Sequence, residues 1–380
     1  MKLKKLLIFS FISLLFGTTA NAQMKAISEC NVKSMTMCGS DLYVGTDEGY
    51  YVFDTKAGET KAMNAVGKVT SIAVNAADNV WYTLDKGYSD NCACHFDGKN
   101  TTTYSVENGA IKGGQWACVG PKGITIAPDG SVWFGAYGFF HKFDGKAWTN
   151  YTCPKSNFGR IYYKTFAFDS NGTIWIGGKD QQKNATFGEF DPVEGAQTPI
   201  ANDFADDGVN SMFIDSDDNL WIGTDSKGFF KYDGSTFTAY NKDTDPDMKS
   251  NITVGLCQAA NGRIFYAQGK KMISFNGEYQ VEVADIYNEE LENDRDGITC
   301  LYPYGDIIFI GTSMTGIHCF DSNTGELTQL TEGSVIDAIK SISADKAKTS
   351  GAIYDLSGRQ TTTSQKGMIY IQNGQKFLGK

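Results

Sequence analysis

Histidine is nearly missing from this chain: His95, His141 and His318 are all that 380 residues contain. Around so few imidazoles no Ser/His/Asp order, zinc motif or phosphate-cradling glycine loop takes shape, so the common catalytic signatures are excluded. Basic residues are also in deficit, 34 against 44 acidic ones for a formal net charge of −10. Three of those basic residues fall in the first five positions. Such a balance repels phosphate backbones and argues against a nucleic-acid partner. Proline is scarce (7), and past residue 22 no apolar run approaches the length that spans a bilayer, which predicts a chain that does not cross a membrane.

The one long apolar run, Leu6–Phe16, follows Lys2, Lys4 and Lys5 and precedes Ala20-Asn21-Ala22. A basic start, a short apolar stretch and a small-x-small site predict a signal peptide over 1–22 and a mature chain from Gln23, secreted to the periplasm, cell surface or medium. No cysteine follows the cleavage site, which argues against a lipid anchor there. Nine cysteines remain in a compartment that permits disulfides. Cys257 and Cys300 lie in strand-like runs (VGLCQ, ITCLY) and read as small buried apolar residues. Cys92-Ala93-Cys94 is too tight for a metal hairpin and has no second pair beside it. Cys118 and Cys153 sit in loops, where a bridge is open; most thiols are expected free.

What the chain has in quantity is glycine (42 residues) and aromatic residues (13%). They are arranged in a repeat: apolar-aromatic-apolar-Gly, then a second run ending in an aromatic and Asp or Asn. It occurs seven times, as LYVG…VFD, VWYT…HFD, VWFG…KFD, IWIG…EFD, LWIG…KYD, IFYA…SFN and IFIG…CFD. The aromatic anchors are Tyr43, Trp81, Trp133, Trp175, Trp221, Phe265 and Phe309, at intervals of 38 to 52 residues, the period of a four-stranded blade. Strands such as LWIG are apolar on both faces and must be covered on both, as in a closed ring of sheets. Upstream strands (SIAV, ITIA, TFAF, SMFI) and downstream ones (TTTY, WTNY, FTAY) complete each repeat. The expected fold is all-β: a seven-bladed propeller of four-stranded blades over 23–332, a polar linker over 333–350 and a short β-hairpin tail over 351–380. Both terminal repeats look complete, so closure by strand exchange between Ala26–Cys30 and the last blade stays open.

Repeats of this form, most clearly NLWIGTDSKGFFKYDG, resemble the two-component regulator propeller repeats of bacterial sensor ectodomains. The resemblance covers about residues 30 to 330 and implies an extracellular ligand-reading module, often for glycans. The chain departs from that pattern in having one ring of seven repeats and no kinase or DNA-binding segment. The last thirty residues, with YDLSGR (354–359), KGMIY (366–370) and the Asn373-Gly374 turn, resemble the C-terminal sorting tail of proteins exported by the type IX route.

Loop lengths separate the two ends of the ring. The turns NAADN, APDGS, DSNGT and DSDDN all sit seven residues or fewer before their tryptophan and are ordinary Asp/Asn/Gly turns. Length varies at the other end, in the connections near 85–93 and 178–186 and in the crossings between blades. Aromatic plates with amide and cationic donors suit sugars, which present C–H faces and hydroxyl edges. The candidate ligand-binding residues are therefore Trp116, Gln115, Tyr88, Tyr137, Phe158, Arg160, Tyr162, Tyr163, Lys179 and Gln181. His141 and His318 share a strand face with a core Phe and read as packing groups between blades; His95 lies on the opposite face. Asp243, Asp245 and Asp247 alternate as in a calcium loop but lack the glycine and bidentate glutamate, so calcium is a weak candidate and no other cofactor is expected. The expected function is a secreted, monomeric, non-catalytic propeller that binds an oligosaccharide or surface glycan. The alternatives are a scaffold for a protein partner and a propeller lyase or lactonase, since fold alone decides none of these.

Overall fold

A computed structural model describes residues 24–336 apart from 88–91, 113–122, 137, 153–161, 181–184, 246–247, 249, 277–279 and 287–296, with backbone alone at 136, 162, 163 and 185. It also gives the backbone of four short strands between 353 and 378. Seven four-stranded antiparallel sheets follow one another along the chain, each built from consecutive strands in sequence order. Blade 5 is typical: Val209–Ile214, Leu220–Thr224, Phe229–Tyr232 and Phe237–Tyr240. In most neighbouring pairs the first strands lie against one another, and the first strand of blade 7 (Ile298–Tyr304) lies against that of blade 1 (Val32–Cys38). The sheets thus form a closed ring with their first strands innermost.

Every aromatic anchor of the sequence repeat packs onto the blade that follows it. Tyr43 joins Val80 and Tyr82 of blade 2, and Trp81 joins Val132 and Phe134 of blade 3. Trp133 meets Ile176 and Phe190; Trp175 meets Ile222 and Phe230; Trp221 meets Tyr266 and Phe275. Phe265 meets Ile310 and Phe320, and Phe309 closes the circle against Val44 and Phe53 of blade 1. A plate of this size hides about 150–250 Å², on the order of 5 kcal/mol of gross hydrophobic driving force at each interface. The repeat's glycine has a visible reason. A Cβ on Gly45, Gly177 or Gly311 would lie 2.6–2.7 Å from the first valine of the next blade, Val69, Val209 or Val32.

The tryptophan turns are keyed to their plates by hydrogen bonds. Asp215 Oδ2 accepts from Trp221 Nε1 at 2.6 Å, and Asp169 does the same for Trp175 at 3.2 Å. In blades 2 and 3 the acceptor is Asn79 or Ser131, two residues before the ring instead of six.

The ring closes without strand exchange. Residues 27–30 form a turn, not a strand, and blades 1 and 7 each take four strands from one stretch of chain. The seam is sealed by both flanks. Met24, Ile27 and Cys30 join Leu330 in the core between these blades, and Thr299 Oγ1 donates to the Val32 carbonyl at 2.7 Å. Residues 333–336, assigned to the linker by composition, are docked on blade 1: Gly333 N donates to Gly58 O and Ile336 N to Thr55 O, both at 2.7 Å. In the tail the hairpin Ile369–Gln372 with Gln375–Leu378 is joined by Ile353–Asp355 and Gln360–Thr361 in a four-stranded sheet.

Candidate functional site

Antiparallel strands send the second-to-third connections and the crossings between blades to the same end of the ring. At that end the innermost strands are irregular. Register shifts fall between Val32/Ser34, Val69/Ser71, Tyr163/Thr165, Val209/Ser211, Val254/Leu256 and Ile298/Cys300. Each bulge re-aims one extra residue without disturbing the packing on either side. The extra residues are Lys33, Thr70, Lys164, Asn210, Gly255 and Thr299, a set of different side chains repeated around the axis. The blade 3 counterpart lies outside the described residues. Sequence reading missed this set, although its signal is present as an apolar–variable–Ser/Thr/Cys triplet in VKS, VTS, YKT, VNS and ITC.

These groups are bonded to their surroundings. Thr70 Oγ1 lies 2.8 Å from Thr83 Oγ1. Asn210 Nδ2 donates to the carbonyls of Thr224 at 2.9 Å and Thr253 at 3.0 Å, tying blade 5 to blade 6. Lysines meet the carboxylates of the second-to-third connections: Lys33 with Asp47 at 3.3 Å and Lys68 with Asp85 at 2.7 Å. Between blades 4 and 5 two lysines share one carboxylate. Lys179 Nζ donates to Asp225 Oδ2 at 2.7 Å, while Lys164 Nζ stands 3.6 Å from Asp225 Oδ1. All three side chains are partly exposed, at 26, 18 and 24% for Lys179, Lys164 and Asp225. Burial, with Lys179 as a like charge beside it, lowers Lys164 to about 8 despite the attraction of Asp225. Burial works to raise the Asp225 carboxyl, but the bond from Lys179 and the two lysine charges hold it below the usual carboxylate range.

Of the sequence candidates, three are brought together. Tyr162 pairs with Lys179, and Tyr163 with Gly178, in the ladder between the first two strands of blade 4. Tyr88, Gln115, Trp116, Tyr137, Phe158, Arg160 and Gln181 lie outside the described residues, as do Cys118 and Cys153. None of the seven described cysteines is in a disulfide, and all but Cys38 are buried. Asp243 sits in a turn capped by Asn241, Asp245 Oδ2 accepts from Gln280 at 2.6 Å, and Asp247 is outside the described residues. Among the described residues no three His, Cys, Asp or Glu side chains are assembled as metal ligands, and no helix is long and apolar enough to cross a membrane.

The histidines are scattered over blades 2, 3 and 7. His95 stacks on Trp81 with ring centroids 4.2 Å apart and shares a hydrogen bond with Asn79. His318 meets Thr315 at 3.1 Å. His141 is fully buried against Phe134 and bonds Asn150 through Nδ1. Burial lowers His141 to about 4, with the bond to Asn150 opposing. The unfolded chain takes up this proton near pH 6.5 and the folded ring does not, so His141 costs no stability above that pH. Stability then falls by up to about 1.4 kcal/mol per unit as the pH drops toward 4. Denaturant titrations between pH 7 and 4.5 should show a shallower loss in His141→Gln than in the parent chain.

The two-component regulator propeller family matches residues 203–226, the approach to blade 5 and its first two strands. No curated protein matches the chain. Among solved structures it is similar to a catalytically inactive virginiamycin B lyase of Staphylococcus aureus with quinupristin (TM-score 0.60, 14% identity, 76% of this chain and 94% of that one). It is also similar to the extracellular domain of a putative hybrid two-component system of B. thetaiotaomicron (TM-score 0.58, 15% identity, 80% of this chain and 40% of that one). A third is PorZ, a surface component of the type-IX secretion system of Porphyromonas gingivalis (TM-score 0.50, 16% identity, 76% and 46%). At these identities the likeness establishes the propeller fold, and the chain spans under half of the sensor domain and of PorZ.

Proposed function

We propose that this protein is an exported propeller that binds an extracellular ligand, an oligosaccharide or surface glycan, through the end of the ring where the crossings emerge. One observation carries the reading. The packing elements repeat nearly unchanged from blade to blade, whereas the six bulge residues at this mouth are of four kinds: Lys33 and Lys164, Thr70 and Thr299, Asn210 and Gly255. A surface whose scaffold is invariant and whose inner rim varies is organised for recognition. The likeness to a sensor ectodomain supports the same reading, as does a leader over 1–22. The tail over 351–380 then serves as a type IX sorting segment.

Catalysis is the weaker reading because the three histidines are spread over separate blades in packing roles. The test is thermal unfolding against a panel of oligosaccharides, with and without calcium. A ligand of the folded ring at a hundredfold excess over its dissociation constant adds about 2.7 kcal/mol. A shift with one sugar class, lost in Trp116→Ala without loss of fold, supports glycan recognition. Stabilisation by calcium alone, or by no sugar, sinks it.

A further inference from the structure

The bulge that carries Lys164 does something its counterparts do not. At blades 1 and 2 one lysine meets one carboxylate, but here two ammonium groups converge on Asp225 alone. Two ammonium groups hold six N–H bonds. Among the described residues, the bond from Lys179 to Asp225 at 2.7 Å is their one carboxylate hydrogen bond; the 3.6 Å approach of Lys164 is ionic contact only. Both lysine side chains remain partly exposed.

Other carboxylates lie near in the chain. Asp207, which acts on Lys179, spends its carboxylate on the backbone N–H groups of Ser226 and Lys227, at 2.6 and 2.9 Å, and on the Ser226 hydroxyl. Asp206 pairs with Lys227, and Asp180 is buried next in sequence to Lys179. Gly208 keeps the cluster together. A Cβ there would lie 2.7 Å from Asp225 Oδ2 and 2.8 Å from Lys179 Cδ. On the far side of Asn210, which bonds both Asp225 and the Thr253 carbonyl, the hydroxyl of fully buried Thr253 has no partner among the described residues. Tyr162 and Tyr163 hold the register positions opposite Lys179 and Gly178 in the strand ladder.

We propose that Lys164 and Lys179 receive the carboxylate of an acidic sugar, making the ligand a uronate-bearing oligosaccharide. This inference rests on the ligand-binding reading above and narrows it. An anion between the two ammonium groups accepts their spare N–H bonds and relieves the repulsion that now sets Lys164 against Lys179. Hydrogen bonds of this charge-assisted kind are shorter and stronger than neutral ones. Affinity then falls as the pH rises through about 8, where Lys164 loses its proton. It also weakens with salt, because both partners are charged and near the surface.

The experiment is calorimetric titration of the full mature chain with oligogalacturonate, oligoglucuronate and oligomannuronate, and with the methyl ester of each. The ester keeps the sugar and removes only the charge. We expect one acidic series to bind at least tenfold tighter than its ester at pH 7, with the preference gone near pH 9.5. Lys164→Met and Lys179→Met each abolish the preference, while Asp225→Asn, which removes the competing carboxylate but also the charge that supports the Lys164 proton, widens it several-fold when read at pH 6. If a lysine variant fails to fold, the Asp225→Asn comparison and the pH series still decide. Equal binding of acid and ester overturns this inference and leaves the ligand-binding reading standing. Binding of none of the six overturns the inference, and the neutral-sugar panel judges the broader reading separately. Capture of an acidic peptide at the cluster in place of the uronates also overturns it.

Discussion

Leu330→Ala should be among the most damaging single changes in this protein, lowering stability by about 2–5 kcal/mol in denaturant titration. Leu330 is fully buried in the cluster that joins blade 7 to blade 1, among Ile27, Val32, Phe53 and Phe309. Its effect exceeds the transfer cost of its own atoms because the truncation leaves a cavity, here at an interface with no covalent continuity. The other blade interfaces are each spanned by a crossing of the chain, whereas this one is held by side chains and the two flanking segments. Gly316→Ala tests the same seam from the other flank. A Cβ on Gly316 would lie 2.1 Å from the carbonyl oxygen of Ile27, and the residue has φ +69°, so alanine strains the turn and displaces the segment that covers the seam. The two substitutions should be less than additive, since both open the same interface. Two independent full penalties in the double variant would show that the flanks do not act together.

Asp215→Ala should cost about 3 kcal/mol, and a second substitution should restore most of it. The carboxylate is buried and accepts from the backbone N–H of Asp217 and Asn219, the Asn219 amide and the Trp221 indole. Removing it strands buried donors, the expensive way to lose hydrogen bonds. Blade 3 carries the natural alternative at the aligned positions, with Ala127, Asp129 and Ser131 where blade 5 has Asp215, Asp217 and Asn219. There Ser131 Oγ accepts from Trp133 Nε1 at 2.9 Å and is held in turn by Asp129. Asp215→Ala with Asn219→Ser copies this arrangement into blade 5. Thermal unfolding of the single and double variants gives the comparison; a double variant no more stable than Asp215→Ala would refute the equivalence of the two keying schemes.

Much of the fold was legible. The seven anchors, the glycine that follows most of them and the short turns all carry their meaning within one repeat, where the strand period and turn chemistry are local properties. The recurrence of the pattern then implies the ring, since repeated sheets apolar on both faces, with no helices between them, cover one another when the ring closes. The site was legible only as a face. Lysine, asparagine and threonine at the bulges looked like ordinary polar residues at strand starts, and nothing local marks them as one set. Lys179 lies beside a long connection in the sequence, but its partner is a carboxylate of the next blade, 46 positions along the chain.

The sequence by itself therefore determined the number of blades, the identity of their core plates and the end of the ring at which the chain varies. Each follows from periodicity, which acts over a few residues and repeats. Tertiary structure alone decided how the ring closes, which acceptor serves each tryptophan, and which charges meet at the mouth. Those depend on contacts between neighbouring blades and on register shifts of a single residue. A bulge takes one side chain out of the regular sheet alternation, and its cause lies in the pairing of two strands.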